Sequence, residues 1–118
     1  MDEITARLVE SYLPMSEQSF LMLLCLVKPR HGYGIMQQVS EQTNGRVNLS
    51  PSTVYTILYK MELDGLIETV SEIDRRKVYA ITSAGKIILE AETERLSSLV
   101  CFAKAAMSNN SSKTAAAV

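Results

Sequence analysis

Ser50-Pro51-Ser52-Thr53-Val54-Tyr55-Thr56-Ile57-Leu58-Tyr59-Lys60-Met61-Glu62-Leu63-Asp64-Gly65 is the stretch on which the fold turns, together with the residues that follow it to Ile81. Ser50 is a helix cap and Pro51 suits the first helical position, where its missing N–H costs nothing. Val54, Ile57, Leu58 and Met61 recur at i, i+3, i+4, i+7, which gives the helix one buried face. Asp64-Gly65 closes it. Leu66–Ile73 and Lys77–Ile81 are rich in β-branched and aromatic residues and read as strands. The polar Asp74-Arg75-Arg76 between them makes the pair a β-hairpin.

Upstream, Ile4, Leu8 and Tyr12 lie on one face of a first helix that Pro14 ends. Ser16 caps a second helix, which runs through the apolar block to Val27. Lys28-Pro29-Arg30-His31-Gly32 reads as a turn. A third helix runs from Tyr33 to about Thr43, with Ile35 or Met36 and Val39 inward, and Asn44-Gly45 stops it. Val47-Asn48-Leu49 reads as a short extended strand. Thr82 starts a last helix that continues to about Met107, roughly 39 Å at 1.5 Å per residue. That exceeds the width of a small domain.

The order helix, helix, helix, short strand, helix, strand, strand, helix is mainly α with a small hairpin. Residues 15–81 have the order of a winged helix-turn-helix, in which the third and fourth helices form the pair and the hairpin is the wing. Residues 1–14 and 82–107 are expected as added dimerisation helices, and 108–118 as a disordered tail.

The fourth helix presents Ser52, Thr53, Thr56, Tyr59 and Lys60 opposite its buried face, with Tyr55 on the flank. Small hydroxyls reach phosphates and base edges, and lysine supplies charge. The helix N-terminus at Ser50 favours phosphate through its free N–H groups. The alternative is a plain solvated face. Arg75-Arg76-Lys77 is the one run of three basic residues in the chain. On a hairpin tip it can reach a minor groove or a phosphate row, or else pair with Glu72 and Asp74.

Charge at first argues against nucleic acid. The 118 residues carry 12 Lys and Arg against 13 Asp and Glu, net −1. Divided by region, residues 28–86 carry +2, residues 1–27 carry −3 and residues 87–118 carry zero. The acidic excess therefore lies in the N-terminal segment and the basic run on the wing.

The last helix carries Ile88, Leu89, Leu96, Leu99, Val100, Phe102, Ala103 and Met107, more apolar surface than one stripe needs. With Ile4, Leu8 and Tyr12 it suggests a symmetric homodimer, the commonest arrangement for readers of two half-sites. The alternative is that both helices fold back on the chain's own core.

Other classes find little support. The longest apolar stretch, Phe20–Val27, falls short of the about 20 residues of a membrane span. Asp2 and Glu3 stand where a signal peptide starts with basic residues, and Cys25 and Cys101 lie far apart in apolar patterns. Both point to the cytoplasm. The cysteines read as buried apolar residues, and the six methionines as core packing or an adaptable apolar cavity. His31 stands alone in its turn, no metal-ligand spacing is present, and no Gly-rich loop follows a strand. No catalytic residue, metal or cofactor is expected.

His31-Gly32-Tyr33-Gly34-Ile35, Ser50-Pro51-Ser52-Thr53-Val54-Tyr55, Leu58, Met61-Glu62, Asp64-Gly65-Leu66-Ile67, Arg76-Lys77-Val78-Tyr79-Ala80-Ile81-Thr82 and Gly85 occur in that order. Over about residues 18–90 this series resembles the PadR family of bacterial transcriptional regulators. The resemblance implies a homodimeric winged helix-turn-helix repressor of the short subclass, with a single C-terminal helix that forms the dimer interface helped by the N-terminal one. It implies DNA contacts from Tyr33, the exposed face of Ser52–Lys60 and the wing basics. Founding members of the family respond to phenolic acids and others to drugs. Some hold planar ligands between tryptophans at the dimer interface. This chain has no tryptophan, which leaves Phe102, Tyr12 and the methionines as local substitutes.

The expected function is a sequence-specific repressor of double-stranded operator DNA, acting as a homodimer and released by a small apolar or aromatic effector. A reading from another class is a winged-helix protein–protein adaptor that uses the same face without DNA.

Overall fold

Eight elements follow one another in a computed structural model that describes residues 2–117, with side chains over 2–108. They are α1 (Glu3–Tyr12), α2 (Glu17–Cys25), β1 (Arg30–His31), α3 (Gly32–Gln42), α4 (Pro51–Leu63), β2 (Ile67–Ile73), β3 (Arg76–Ile81) and α5 (Ser83–Ala117). The fold is mainly helical with one small antiparallel sheet, ordered β1-β3-β2.

Local chemistry sets most boundaries. Asp2, Ser16, His31 and Ser50 each accept a hydrogen bond from a backbone N–H in the first turn of the helix they precede. Thr82 does the same for α5, its Oγ1 accepting from the Gly85 N–H at 3.1 Å. Beyond α4, Gly65 has φ +80°, a left-handed conformation that glycine adopts without the steric penalty of a side chain. Asn44 and Gly45 turn the chain after α3 in the same way.

The core is built from one face of each element. Met22, Leu23 and Leu26 of α2 and the residue after it meet Ile35 and Val39 of α3, and Val54, Leu58 and Met61 of α4. Leu66, Ile67 and Ile81 close it from the sheet side, and Ile88 and Leu89 from α5. At Gly85 a Cβ would stand 2.1 Å from the Leu66 carbonyl oxygen. Only glycine lets α5 start this close to the sheet.

Four expectations change. The short strand is Arg30–His31, paired with Tyr79 and Val78 of β3, inside the segment read as a turn. Val47–Leu49 forms no strand; Leu49 is buried, but no strand lies beside it to complete a ladder. Ile88 and Leu89, expected at a dimer interface, are buried in the chain's own core, because the Gly85 approach turns that side of α5 inward. Cys101, expected to be buried, is exposed, whereas Cys25 is buried.

The sequence reading ended the last helix near Met107 and assigned 108–118 to a tail. The helical backbone runs on to Ala117, and the side chains of 109–118 lie outside the described residues. At 1.5 Å per residue α5 is roughly 52 Å long. It draws the molecule out to 66 × 38 × 20 Å with a radius of gyration of 17.9 Å, against about 13–14 Å for a compact chain of this length. Past Leu96, side chains Leu99, Val100, Phe102 and Met107 are exposed, Phe102 at 74%.

Candidate nucleic-acid interface

The wing begins with its turn. Ile73 pairs with Arg76, so Asp74 and Arg75 form a two-residue loop, and both have positive φ, 50° and 65°. That is the type I′ geometry, whose twist matches the flanking strands and which favours Asn-Gly. A bulge at Val70 shifts the register between Thr69–Tyr79 and Ser71–Val78, which adds twist to the hairpin. Thr69 Oγ1 donates to Glu62 Oε2 at 2.6 Å and so ties the base of the wing to α4.

Arg75, Arg76 and Lys77 are exposed, and among the described residues none of them forms a salt bridge. The expected alternative pairing with Glu72 and Asp74 is not made. The three face a cleft of about 510 Å³ whose other walls are His31, Tyr33, Met36, Pro51, Tyr55 and Tyr79. The wing and the N-terminal ends of α3 and α4 therefore open onto one space. The positive ends of two helix dipoles and three cations border it together, a setting that favours anions.

The aromatic side chains are fixed from below. His31 Nδ1 accepts from the Gly34 N–H at 3.1 Å, and its ring stacks on Tyr33 at 6.4 Å between centroids. Tyr79 is 7% exposed; burial, then Glu62 and Tyr55, push its phenol above the ordinary range.

On α4, Ser52, Thr56 and Tyr59 point away from the core, Tyr59 at 70% exposure. Ser50 and Thr53 are engaged with each other: Ser50 Oγ accepts from the Thr53 N–H at 3.2 Å and donates to Thr53 Oγ1 at 3.0 Å. Lys60 lies elsewhere. Its ammonium donates to Asp64 Oδ2 at 2.8 Å and sits 5.3 Å from the centre of the Tyr12 ring. It is turned toward α1 and not toward the cleft.

The expected dimer residues divide. Ile4 is 75% exposed, while Leu8 and Tyr12 pack partly buried against the core. Leu96 is half-buried, and Leu99, Val100, Phe102, Ala103 and Met107 are exposed along α5.

Sequence reasoning missed Glu92. It is 1% exposed, accepts from the Met15 N–H at 2.6 Å, and is ion-paired with Arg95. Arg95 and then the Met15 N–H hold its carboxyl below the usual range against the opposing effect of burial. The i, i+3 spacing of Glu92 and Arg95 was visible, but nothing local points to Met15.

No group of residues suited to a metal occurs among the described residues, and no described helix is long and apolar enough to cross a membrane.

A helix-turn-helix pair packed on a three-stranded wing sheet, with a basic wing tip, defines a winged-helix regulator. The model of the Transcriptional regulator PadR-like family matches residues 20–91, and the chain belongs to that family. It is thus a PadR-like transcriptional regulator. An uncharacterised protein of Lysinibacillus sphaericus is 37% identical over 75 residues, covering 60% of this chain and 69% of that one. A transcriptional regulator from Clostridium thermocellum has a similar fold, with TM-score 0.66, 19% identity, and 83% and 95% of the two chains covered. A PadR family transcriptional regulator from Eggerthella lenta is similar with TM-score 0.61, 20% identity, and 88% of each chain covered.

Proposed function

We propose that this regulator is a homodimeric, sequence-specific DNA-binding repressor of the cytoplasm, released from its operator by a small apolar or aromatic effector. The carrying observation is the convergence of Tyr33, Tyr55 and Arg75–Lys77 on one cleft at the starts of α3 and α4. In this reading α4 enters the major groove. Ser52, Thr56 and Tyr59 reach base edges and phosphates, and the wing holds the backbone or the minor groove.

Dimerisation is supported by the exposed apolar side chains of α5 from Leu99 to Met107 and by the exposed Ile4 of α1. A cavity of about 360 Å³ between α2 and α5, lined by Met15, Phe20, Leu21 and Leu96 and by the charged Glu17, Arg46 and Glu92, has the size and the mixture of apolar wall and few polar groups that suit a small effector.

The test is selection from random duplex DNA with the full chain, followed by a salt titration of the enriched duplex. Wild type is expected to retard that duplex. Arg75→Ala with Arg76→Ala weakens binding to all sequences and flattens the salt dependence. Absence of any retardation at low salt would favour the protein–protein adaptor instead.

A further inference from the structure

Of the cations on α4 and the wing, Lys60 alone is held by other side chains. Its Nζ and the Tyr12 hydroxyl both donate to one oxygen, Asp64 Oδ2, at 2.8 and 2.6 Å, while the Tyr12 ring lies under the ammonium. Asp64 is the C-cap of α4, and Tyr12 is the last residue of α1, 52 positions away. The α1 end of this link is itself anchored. Three residues beyond Tyr12, the Met15 N–H is held by Glu92 of α5.

We propose that Asp64 and Tyr12 are specificity-determining positioning residues, which hold the Lys60 ammonium on α1 and so withhold it from the DNA backbone. The proposal rests on the DNA-binding reading above and deepens it. Phosphate contacts carry affinity without sequence information, so each lysine added to them strengthens all sites, wrong ones included. A cation on the reading helix that is occupied from within leaves the hydroxyls of Ser52, Thr56 and Tyr59 with a larger share of the discrimination.

The charges agree with this geometry. Lys60 and then the Tyr12 hydroxyl pull the Asp64 carboxyl below its usual range, so it stays ionised and keeps its hold at neutral pH. Burial and the Asp64 carboxylate push the Tyr12 phenol well above its ordinary range, so it remains a donor.

The experiment measures binding of the full chain, across a salt series, to the duplex enriched by selection and to a duplex of scrambled sequence. Asp64→Asn keeps the shape and the C-cap and removes the charge that holds Lys60. Because Lys60 is exposed and the pair is an i, i+4 surface pair, the substitution is expected to tighten the scrambled duplex roughly two- to fivefold near 0.1 M salt and to steepen the salt slope by about one counterion. Discrimination between the two duplexes falls accordingly. Lys60→Ala in the wild-type background is expected to leave the slope unchanged, and adding it to Asp64→Asn abolishes the gain.

Two results overturn the proposal. One is a slope that already flattens by about one on Lys60→Ala alone, which places that lysine on phosphate in the native complex. The other is a gain from Asp64→Asn that persists without Lys60, which is mere loss of a negative charge. Failure of wild type to bind either duplex, with Arg75 and Arg76 intact, instead overturns the DNA-binding reading itself. A readout without DNA keeps the two apart: acetylation of Lys60, followed by mass spectrometry, is expected to be faster in Asp64→Asn than in wild type, and an unchanged rate counts against the hold.

Discussion

The Tyr55 hydroxyl occupies the space that a Cβ on Gly32 would need, 2.7 Å from its position. The start of α3 and the first turns of α4 are therefore spaced by a glycine and a phenol in contact, and their spacing sets the width of the cleft beneath the wing. Gly32→Ala displaces the far end of the half-exposed Tyr55 side chain, at a cost of about 0.5–1 kcal/mol, the range for a side chain pushed off its rotamer. It also weakens DNA binding. In a Tyr55→Ala background the same substitution costs much less. Denaturant unfolding of the four proteins gives the coupling, and additive costs would remove the contact from the argument.

Arg75 adopts a left-handed backbone at the wing tip, where a side chain is sterically disfavoured. Asp74→Asn with Arg75→Gly supplies the residues that a type I′ turn prefers. Stability is expected to rise by about 0.5–1 kcal/mol while affinity for DNA falls. Unfolding curves and DNA titrations on one protein read both effects. Affinity that stays at the wild-type level would show that Arg75 serves the turn alone.

Glu92 links stability to pH. Its folded-state carboxyl is depressed by Arg95 and the Met15 N–H, so its contribution is fully present above the ordinary carboxylate range of the unfolded chain. It is lost as pH falls through the depressed folded value. Glu92→Gln is expected to destabilise by about 1.5–3 kcal/mol at neutral pH, the range for hydrogen bonds to charged groups. The gap to wild type narrows as the solution becomes acid. Parallel stability curves for the two proteins from neutral to acid pH would contradict this assignment.

Leu99 stands exposed on α5. In the proposed dimer Leu99→Asp buries an unpaired charge at the seam, which costs several kcal/mol, and leaves the core around Met22 and Leu58 untouched. Sedimentation is expected to show a folded monomer with weakened DNA binding. A dimer of wild-type strength would place the seam elsewhere.

Much of this was legible in order of locality. The caps at Ser16 and Ser50, the stops at Asn44-Gly45 and Asp64-Gly65 and the buried face of α4 each depend on residues a few positions apart. They could be read directly. The strand at Arg30–His31 could not, because two residues make a strand only by pairing with Tyr79 and Val78. Val47–Leu49 has the better composition and no partner. Ile88 and Leu89 went to the core and not to the surface because of the backbone approach at Gly85. For the candidate site, Arg75–Lys77 and the outward hydroxyls of α4 were visible as a pattern. The setting of Lys60 was illegible for the same reason that Glu92 was missed: the contacts that position them, Tyr12 and Met15, lie 48 and 77 residues away in sequence.

The length of α5 makes it a lever. From Phe102 back to Ser83 the rod measures roughly 29 Å. A tilt of about 5° at Phe102 then displaces Ser83, and the winged domain packed on it through Gly85, by roughly 2.5 Å, more than the few tenths of an ångström over which a hydrogen bond is made or lost. In the proposed dimer, a small change in the angle at which two α5 helices cross is thereby magnified into a shift of α4 on DNA, with no rearrangement inside the domain that carries it.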